Sequence, residues 1–426
     1  MTNSSPREFY DALETRDPAA RSAAEAALLP VLVAQAQRAP AQAPGLDGVD
    51  AASINSRAAL ATLPVTRKGD LLARQQAARA AGADPFGGFA TIGWSGLAAP
   101  RGARRVFQSP GPIYEPEGLA PDYWRFARAL FAAGFRAGDL VHNSFSYHLT
   151  PAGSMMETGA MAIGCTVFAG GVGNTELQLQ AMTALRPQAY AGTPSFLRIL
   201  LEKADETGLA LPSLVKASVG GEAFPPSLRD ALRGRGIEAY QSYGTADVGL
   251  IAYETAAREG LVLDEGVIVE IVRPGSGDPV PDGEVGEVVV TAMNPDYPLL
   301  RFGTGDLSAL LPGACPTGRT HSRIKGWMGR ADQTTKVRGM FVHPGQVVEV
   351  MRRHPEVRRA RLVVEGEMAD DRMTLHAECA APPEGLAAAV ADSLRDLTKL
   401  RAAVTLVEPG SLPNDGKVIE DARRYD

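Results

Sequence analysis

Only three cysteines, Cys165, Cys315 and Cys379, are spread over the 426 residues, and no two form a C-x-x-C pair. That excludes a disulfide framework and a metal knot built from neighbouring thiolates, and predicts a reducing cytoplasm as the compartment. Excess positive charge is also missing. Lys and Arg number 43 against 49 Asp and Glu, a net charge of −6, so the chain has no basic field to offer nucleic acid. No apolar run reaches the length of a membrane span. The opening "MTNSSPREFYDALETRDPAARSAAEAALLPVLVAQAQ" places acids ahead of a short apolar stretch, and reads as an amphipathic helix rather than a signal peptide or an anchor. No GxGxxG turn follows an early strand with an acid ~20 residues on, which weakens a dinucleotide-binding reading.

What is present is a chain long enough for about two or three structural units with a large core. Residues 1–100 are Ala-rich with helical spacing and read as a lead-in to a domain that continues to residue 330. From about Asp139 short apolar runs, Gly turns and amphipathic helices alternate, as in "GDLVHNSFSYH", "GCTVFAGG" and "LVKASVGGEAF". That texture predicts an α/β domain with a mostly parallel sheet. "LVLDEGVIVEIVRPGSGDPVPDGEVGEVVVTAMNP" alternates apolar and polar residues around a turn, as antiparallel hairpins do. Residues 331–426 run helix, strand, strand, helix, strand, a small α+β domain.

Four stretches carry the candidate chemistry: "YQSYGTADVG", "RFGTGDLS", "MGRADQTTKVRGMFVHPGQVVEVM" and "LPNDGKVIEDARR". In "RFGTGDLS", small residues let a backbone approach a ligand, and Asp306 supplies a carboxylate that can accept two hydroxyls. Its bland reading is a turn aspartate. "GGEAF" sets a glycine turn at the end of a predicted parallel strand, where α/β sheets bind ligands. Tyr240 and Tyr243 fit core packing as well as a site. Lys417 is a single cation behind a glycine, near the end of the sequence.

In order and spacing these four stretches resemble the adenylate-forming enzymes, and in wording their phenylacetate–CoA ligase branch, from about Leu60 onward. The resemblance implies a large AMP-binding domain and a small mobile one. It also implies an ATP-dependent ligase that activates an aryl or arylacetic acid as its acyl adenylate and passes it to coenzyme A. It implies that Gly220, Gly221, Glu222 and Ala223, with Tyr240, Gln241, Ser242, Tyr243 and Gly244, enclose the adenine. Tyr243 would stack on the base, Thr245 contact the α-phosphate and Asp247 help hold Mg²⁺. Aspartate stands at that last position where glutamate is usual, so the metal contact is expected through water. Asp306 and Arg330 would hold the ribose, and Asp332 would be the hinge, its bland alternative being a turn or cap residue. Lys417 would stabilise charge in adenylation alone, leaving with the small domain before the thiol enters.

Two departures qualify the resemblance. The phosphate loop corresponds to "VFQSPGPIYEPEG", whose Ser109 and Gly111 are its remaining phosphate-type residues. It has no lysine, and prolines and glutamates suit phosphate poorly. A homologue that binds adenylates without full ATP chemistry is therefore the alternative. "CPTGRTH" keeps Cys315 but lacks the second cysteine of the zinc-binding relatives, so no structural zinc is expected and His321 reads as a loop residue. "HNSFSYHLTPAG" is the candidate acyl pocket, with Tyr147 and His148 beside the carboxylate, although His148 fits a core histidine equally. A homodimer is the expected assembly.

Overall fold

The computed structural model describes residues 8–94, 96, 102–331, 333–366, 371–413 and 417–423. The chain separates into two compact units, Met1–Phe224 with Leu228–Met328, and Pro225–Ser227 with Gly329–Asp426. The first unit opens on α1 (Pro18–Ala36), α2 (Arg57–Leu60), β1 (Thr66–Arg67) and α3 (Lys68–Ala80). A hairpin of β2 (Arg105–Ser109) and β3 (Ile113–Glu117) leads to α4 (Ala127–Ala132). Strands and helices then alternate through β4 (Leu140–Asn143), α5 (Ala152–Ile163), β5 (Thr166–Ala169), α6 (Thr175–Leu185) and β6 (Ala189–Gly192). The alternation continues with α7 (Pro194–Glu206), β7 (Lys216–Gly220), α8 (Pro226–Gly234) and β8 (Glu238–Thr245). Antiparallel strands follow: β9 (Gly249–Glu254), β10 (Leu261–Leu263), β11 (Val267–Val272), β12 (Gly286–Ala292), β13 (Phe302–Ser308), β14 (Leu310–Leu311) and β15 (Arg323–Ile324).

Nine strands form one sheet in the order β14-β15-β10-β9-β8-β7-β6-β4-β5, parallel from β5 to β8. Buried on both faces, β6 is apolar throughout, as parallel strands tend to be. The order reverses at β4, which lies between β5 and β6, so the carboxyl ends of β4 and β6 flank a topological switch point. Local signals build the helices there. Thr193 accepts a bond from Phe196 N at the start of α7, Pro194 occupies the first turn, and Gly164 closes α5 at φ +95°. A second sheet, β1-β13-β12-β11, packs Val269, Val288, Val290 and Phe302 into the main core.

The second unit contains β16 (Thr335–Val337), β17 (Met340–Val342), α9 (Pro344–Arg353), β18 (Arg359–Glu365), β19 (Arg372–Glu378), α10 (Leu386–Thr398), β20 (Ala403–Val407) and β21 (Ile419–Asp421). Its four-stranded sheet runs β20-β19-β18-β21 over a core of Val347, Leu362, Leu375, Val390 and Leu394. The fold class read from the sequence, α/β followed by α+β, is the observed one. Shortly after Lys417 the chain enters the sheet, where β21 pairs in parallel with β18 from Ile419 to Asp421.

Candidate functional site

Register and one side-chain contact bring Gly220, Ser242, Tyr243 and Asp306 of the sequence-predicted residues together. Gly220, the last residue of β7, is paired with Ser242 on β8. A Cβ on Gly220 would lie 2.8 Å from the Ser242 carbonyl, so only glycine allows the strands to close there. Beyond Ser242, β8 carries a bulge between Tyr243 and Gly244 before the turn that contains Asp247. Bulges re-aim side chains, and here Tyr243 reaches the other sheet. Its Oη donates to Asp306 Oδ2 at 2.8 Å and lies 3.3 Å from Thr304 Oγ1.

Asp306 is buried on β13 and receives a second donor, Trp327 Nε1, on Oδ1 at 3.2 Å. A carboxylate has acceptor capacity for more than one donor on each oxygen, which is the chemistry that binding two vicinal hydroxyls requires. Thr245 Oγ1 accepts from Val248 N at 3.3 Å, which shapes the turn and leaves the threonine O–H to donate elsewhere. Asp247 is buried in that turn, with Oδ2 2.9 Å from Lys68 Nζ. Its Oδ1 is buried without a hydrogen-bond partner among the described residues.

Other predicted residues have structural roles. Glu222 Oε1 accepts from Ser195 N at 2.7 Å and so anchors the first turn of α7. Tyr240 lies beneath Arg258, 4.5 Å from guanidinium to ring, and burial raises its phenol above the ordinary range. Gln241 donates its backbone N–H to Glu254 Oε2 at 3.1 Å. Tyr147 and His148 are adjacent in sequence but face different surroundings. Tyr147 Oη accepts from Asn143 Nδ2 at 2.8 Å beside the switch point, and burial followed by a bond to Glu157 keeps the phenol protonated. His148 is exposed in a turn held by Ser146 Oγ, so the core-histidine reading does not hold. Leu149 O, one residue on, accepts from Gln108 N of β2 at 2.8 Å.

The segment predicted as a phosphate loop is the β2–β3 hairpin, with Pro110, Gly111 and Pro112 in its turn. Its glutamates do not face a ligand. Glu115 is fully buried and accepts both Ser109 N, at 3.2 Å, and the Ser109 hydroxyl. Glu117 is buried against Arg105, 3.0 Å away, and Trp124 Nε1, 2.8 Å away. The expected repulsion of phosphate by these two side chains is therefore muted, while the hydroxyl of Ser109 is already engaged. Burial and then Asp247 push the Glu115 carboxyl well above its usual range.

In the second unit, Lys417 is exposed two residues before β21 begins, Arg330 is half-buried, and Asp332 lies outside the described residues. His321 is buried and held neutral, its pKa lowered to about 3 by burial and then by Arg21, Arg57 and Arg16. Cys315 contacts Thr317 Oγ1 at 3.1 Å. Among the described residues no three His, Cys, Asp or Glu side chains converge as a metal-binding group. Asp247 does not make a magnesium site by itself, since one oxygen is paired with Lys68 and the other is sealed from solvent. Sequence reasoning missed Lys68 and Trp327. Only tertiary contact singles them out, because neither lies in a motif.

The AMP-binding enzyme family model matches residues 126–294, a span that includes the Gly220–Gly221 turn and Tyr243 to Asp247. The phenylacetate-coenzyme A ligase of Thermus thermophilus is 32% identical over 316 residues, covering 67% of this chain and 71% of the relative. That of Aromatoleum evansii is 32% identical over 326 residues, covering 73% and 70%. A crystal structure of 2-hydroxyisobutyryl-CoA ligase with 2-HIB-AMP and CoA superposes with a TM-score of 0.79 at 24% identity, covering 97% of this chain and 92% of that one, which is a likeness of fold. The chain belongs to the phenylacetate–coenzyme A ligase branch of the AMP-binding enzymes, a family of AMP-forming acid–thiol ligases.

Proposed function

We propose that this protein activates an aromatic carboxylic acid, aryl or arylacetic, with ATP and transfers the acyl group to coenzyme A. The observation that carries the reading is the Tyr243–Asp306 contact, which joins the rim of the nine-stranded sheet to a carboxylate on the second sheet. In the first half-reaction a carboxylate oxygen attacks the α-phosphorus and pyrophosphate leaves. In the second the thiol sulfur attacks the acyl carbon and AMP leaves.

Asp306, with Arg330, would hold the ribose hydroxyls, Tyr243 would pack on the adenine, and the Thr245 hydroxyl would donate to the α-phosphate. Lys417 would offset charge building up on the reacting oxygens, an effect strengthened by exclusion of water. Asp332 is proposed as the hinge between half-reactions, on the resemblance. Magnesium would enter carried on the nucleotide phosphates. Tyr147, next to the switch point, would face the acyl group. A homodimer is proposed on the resemblance alone, and a cytoplasmic home on the low cysteine content; among the described residues no helix is long and apolar enough to cross a membrane.

The alternative, an adenylate-binding homologue without ATP chemistry, is weakened by two findings. Relatives named as ligases cover two thirds of the chain, and the loop glutamates are buried. ATP–pyrophosphate exchange across a panel of benzoic and arylacetic acids, followed by CoA ester detection, tests the proposal. Exchange with aliphatic acids only would remove the aromatic assignment, and no exchange with any acid would remove the ligase reading.

A further inference from the structure

The β2–β3 hairpin has no lysine, and the Ser109 hydroxyl is engaged by Glu115, so its side chains supply little to a triphosphate. A cation arrives from elsewhere in the fold. β1 pairs in parallel with β13, the strand of Asp306, with Thr66 opposite Phe302 and Arg67 opposite Gly303. That pairing delivers the next residue, Lys68, to the turn after Thr245, where Nζ lies 2.9 Å from Asp247 Oδ2. The Asp247 side chain is 1% exposed while that of Lys68 keeps 40%, so the carboxylate forms the inner side of the pair and the lysine the outer side. Arg67 does not compete for this place, being engaged by Glu287.

The same helix is bolted to the hairpin. Gln75 donates to Tyr114 O at 2.9 Å and accepts from Tyr114 N at 2.7 Å, an amide bridge between α3 and β3. Positions 68 and 75 are two turns apart on one helix face. Fixing Gln75 on the hairpin therefore fixes Lys68 relative to it. The charges of Asp247 and Lys68 both act on the buried Glu115, which places the three groups together at the base of the hairpin. α3 begins at Lys68 without a side-chain cap, so the positive end of the helix adds to the ammonium.

We propose that Lys68, oriented by Asp247, binds the β- and γ-phosphates of ATP and the pyrophosphate leaving group, replacing the lysine that the hairpin lacks. This rests on the nucleotide reading above. The chemistry separates Lys68 from the residues that hold the nucleoside: AMP has no β- or γ-phosphate, so a cation devoted to them leaves AMP affinity alone. An interaction of one ammonium with phosphate oxygens predicts about 10-fold weaker binding or more on its loss.

The experiment measures binding of AMP, ATP and inorganic pyrophosphate by calorimetry to the wild-type chain, Lys68→Gln and Lys68→Arg. The expected result is weakened ATP and pyrophosphate binding in Lys68→Gln with AMP binding unchanged, and recovery of ATP binding in Lys68→Arg. Thioester formation from prepared acyl-AMP should be spared in both. Equal loss of AMP and ATP, or loss of neither, overturns the assignment. Failure of the wild-type chain to bind AMP overturns the nucleotide reading instead. Because an unpaired Asp247 can destabilise the fold, the double variant Lys68→Gln/Asp247→Asn removes both charges. The same ATP-to-AMP comparison in that variant decides the matter if the single variant does not fold.

Discussion

Tyr243 Oη donates to Asp306 Oδ2 at 2.8 Å, although the two residues are 63 positions apart and lie on different sheets. Such a bond fixes a carboxylate before a ligand arrives. Tyr243→Phe is expected to keep the fold and weaken AMP binding by about 10-fold, the scale of one hydrogen bond to a charged group. Asp306→Ala should weaken it more, since both ribose contacts go. Calorimetric titration with AMP checks both, and an unchanged AMP affinity in Asp306→Ala would remove the ribose assignment.

Trp327 offers an optical readout of the same carboxylate. Its indole N–H lies 3.2 Å from Asp306 Oδ1, and the residue is 42% exposed. Ribose hydroxyls at Asp306 would alter the surroundings of the indole, so AMP is expected to change tryptophan emission. The chain has three tryptophans, and Trp327→Phe should abolish the change if it arises here. A signal that survives in this variant would assign it to Trp94 or Trp124.

Lys417→Ala should lower acyl-adenylate formation by about 100-fold or more, the size of losing one preorganised electrostatic contact, while sparing thioester formation from supplied acyl-AMP. Pyrophosphate exchange beside single-turnover thioesterification makes the comparison. Equal losses in the two steps would mean that the lysine does not belong to adenylation alone.

Glu115 predicts a pH dependence. Burial, then the charge of Asp247, raises its native pKa, so the folded protein keeps a proton that the unfolded chain has released. Stability from this group is therefore present below the ordinary carboxylate range near about 4.3 and declines as pH rises through and beyond it. Glu115→Gln cannot lose that proton. Its melting temperature relative to wild type should improve as pH rises above about 4, until the folded protein too releases the Glu115 proton, whatever constant offset the changed bond to Ser109 adds. A difference that is flat with pH would contradict the burial of a neutral acid.

Arg301 is a structural counterpart to these. It is buried, pairs with both oxygens of Glu270 at 3.0 Å, and donates to the carbonyls of Ala61, Leu63 and Gly277 at 2.8, 2.6 and 2.7 Å. Arg301→Ala strands a buried carboxylate and should cost about 3–5 kcal/mol, read by denaturant unfolding. A loss below about 1 kcal/mol would show that Glu270 relaxes into solvent.

The fold was legible because its signals are local. Strand–turn–helix texture in residues 139–245 and alternation in residues 261–292 each report a period that neighbouring residues share. Asp306 and Tyr243 were legible as members of short patterns, but their contact was not, since nothing in either pattern encodes a bulge that turns Tyr243 across to the second sheet. Glu115 misled for a related reason. Its charge was read as exposed in a loop, whereas hairpin pairing of Ser109 with Ile113 turns it inward onto Ser109. Lys68 was illegible for want of a partner in sequence, being 179 positions from Asp247.

Gln333 Oε1 accepts both Val418 N, at 2.7 Å, and Ile419 N, at 3.3 Å. One amide oxygen thus couples the opening segment of the second unit to the backbone right after Lys417, across 85 positions of chain. If residue 332 is the hinge proposed above, motion that begins near residue 333 would have this clasp as a direct route to the lysine, beside the pairing of β21 with β18. On the proposed role of Lys417, its timing would then be separable from the sturdiness of the unit that carries it: cutting the clasp would slacken delivery and leave the melting transition nearly where it was.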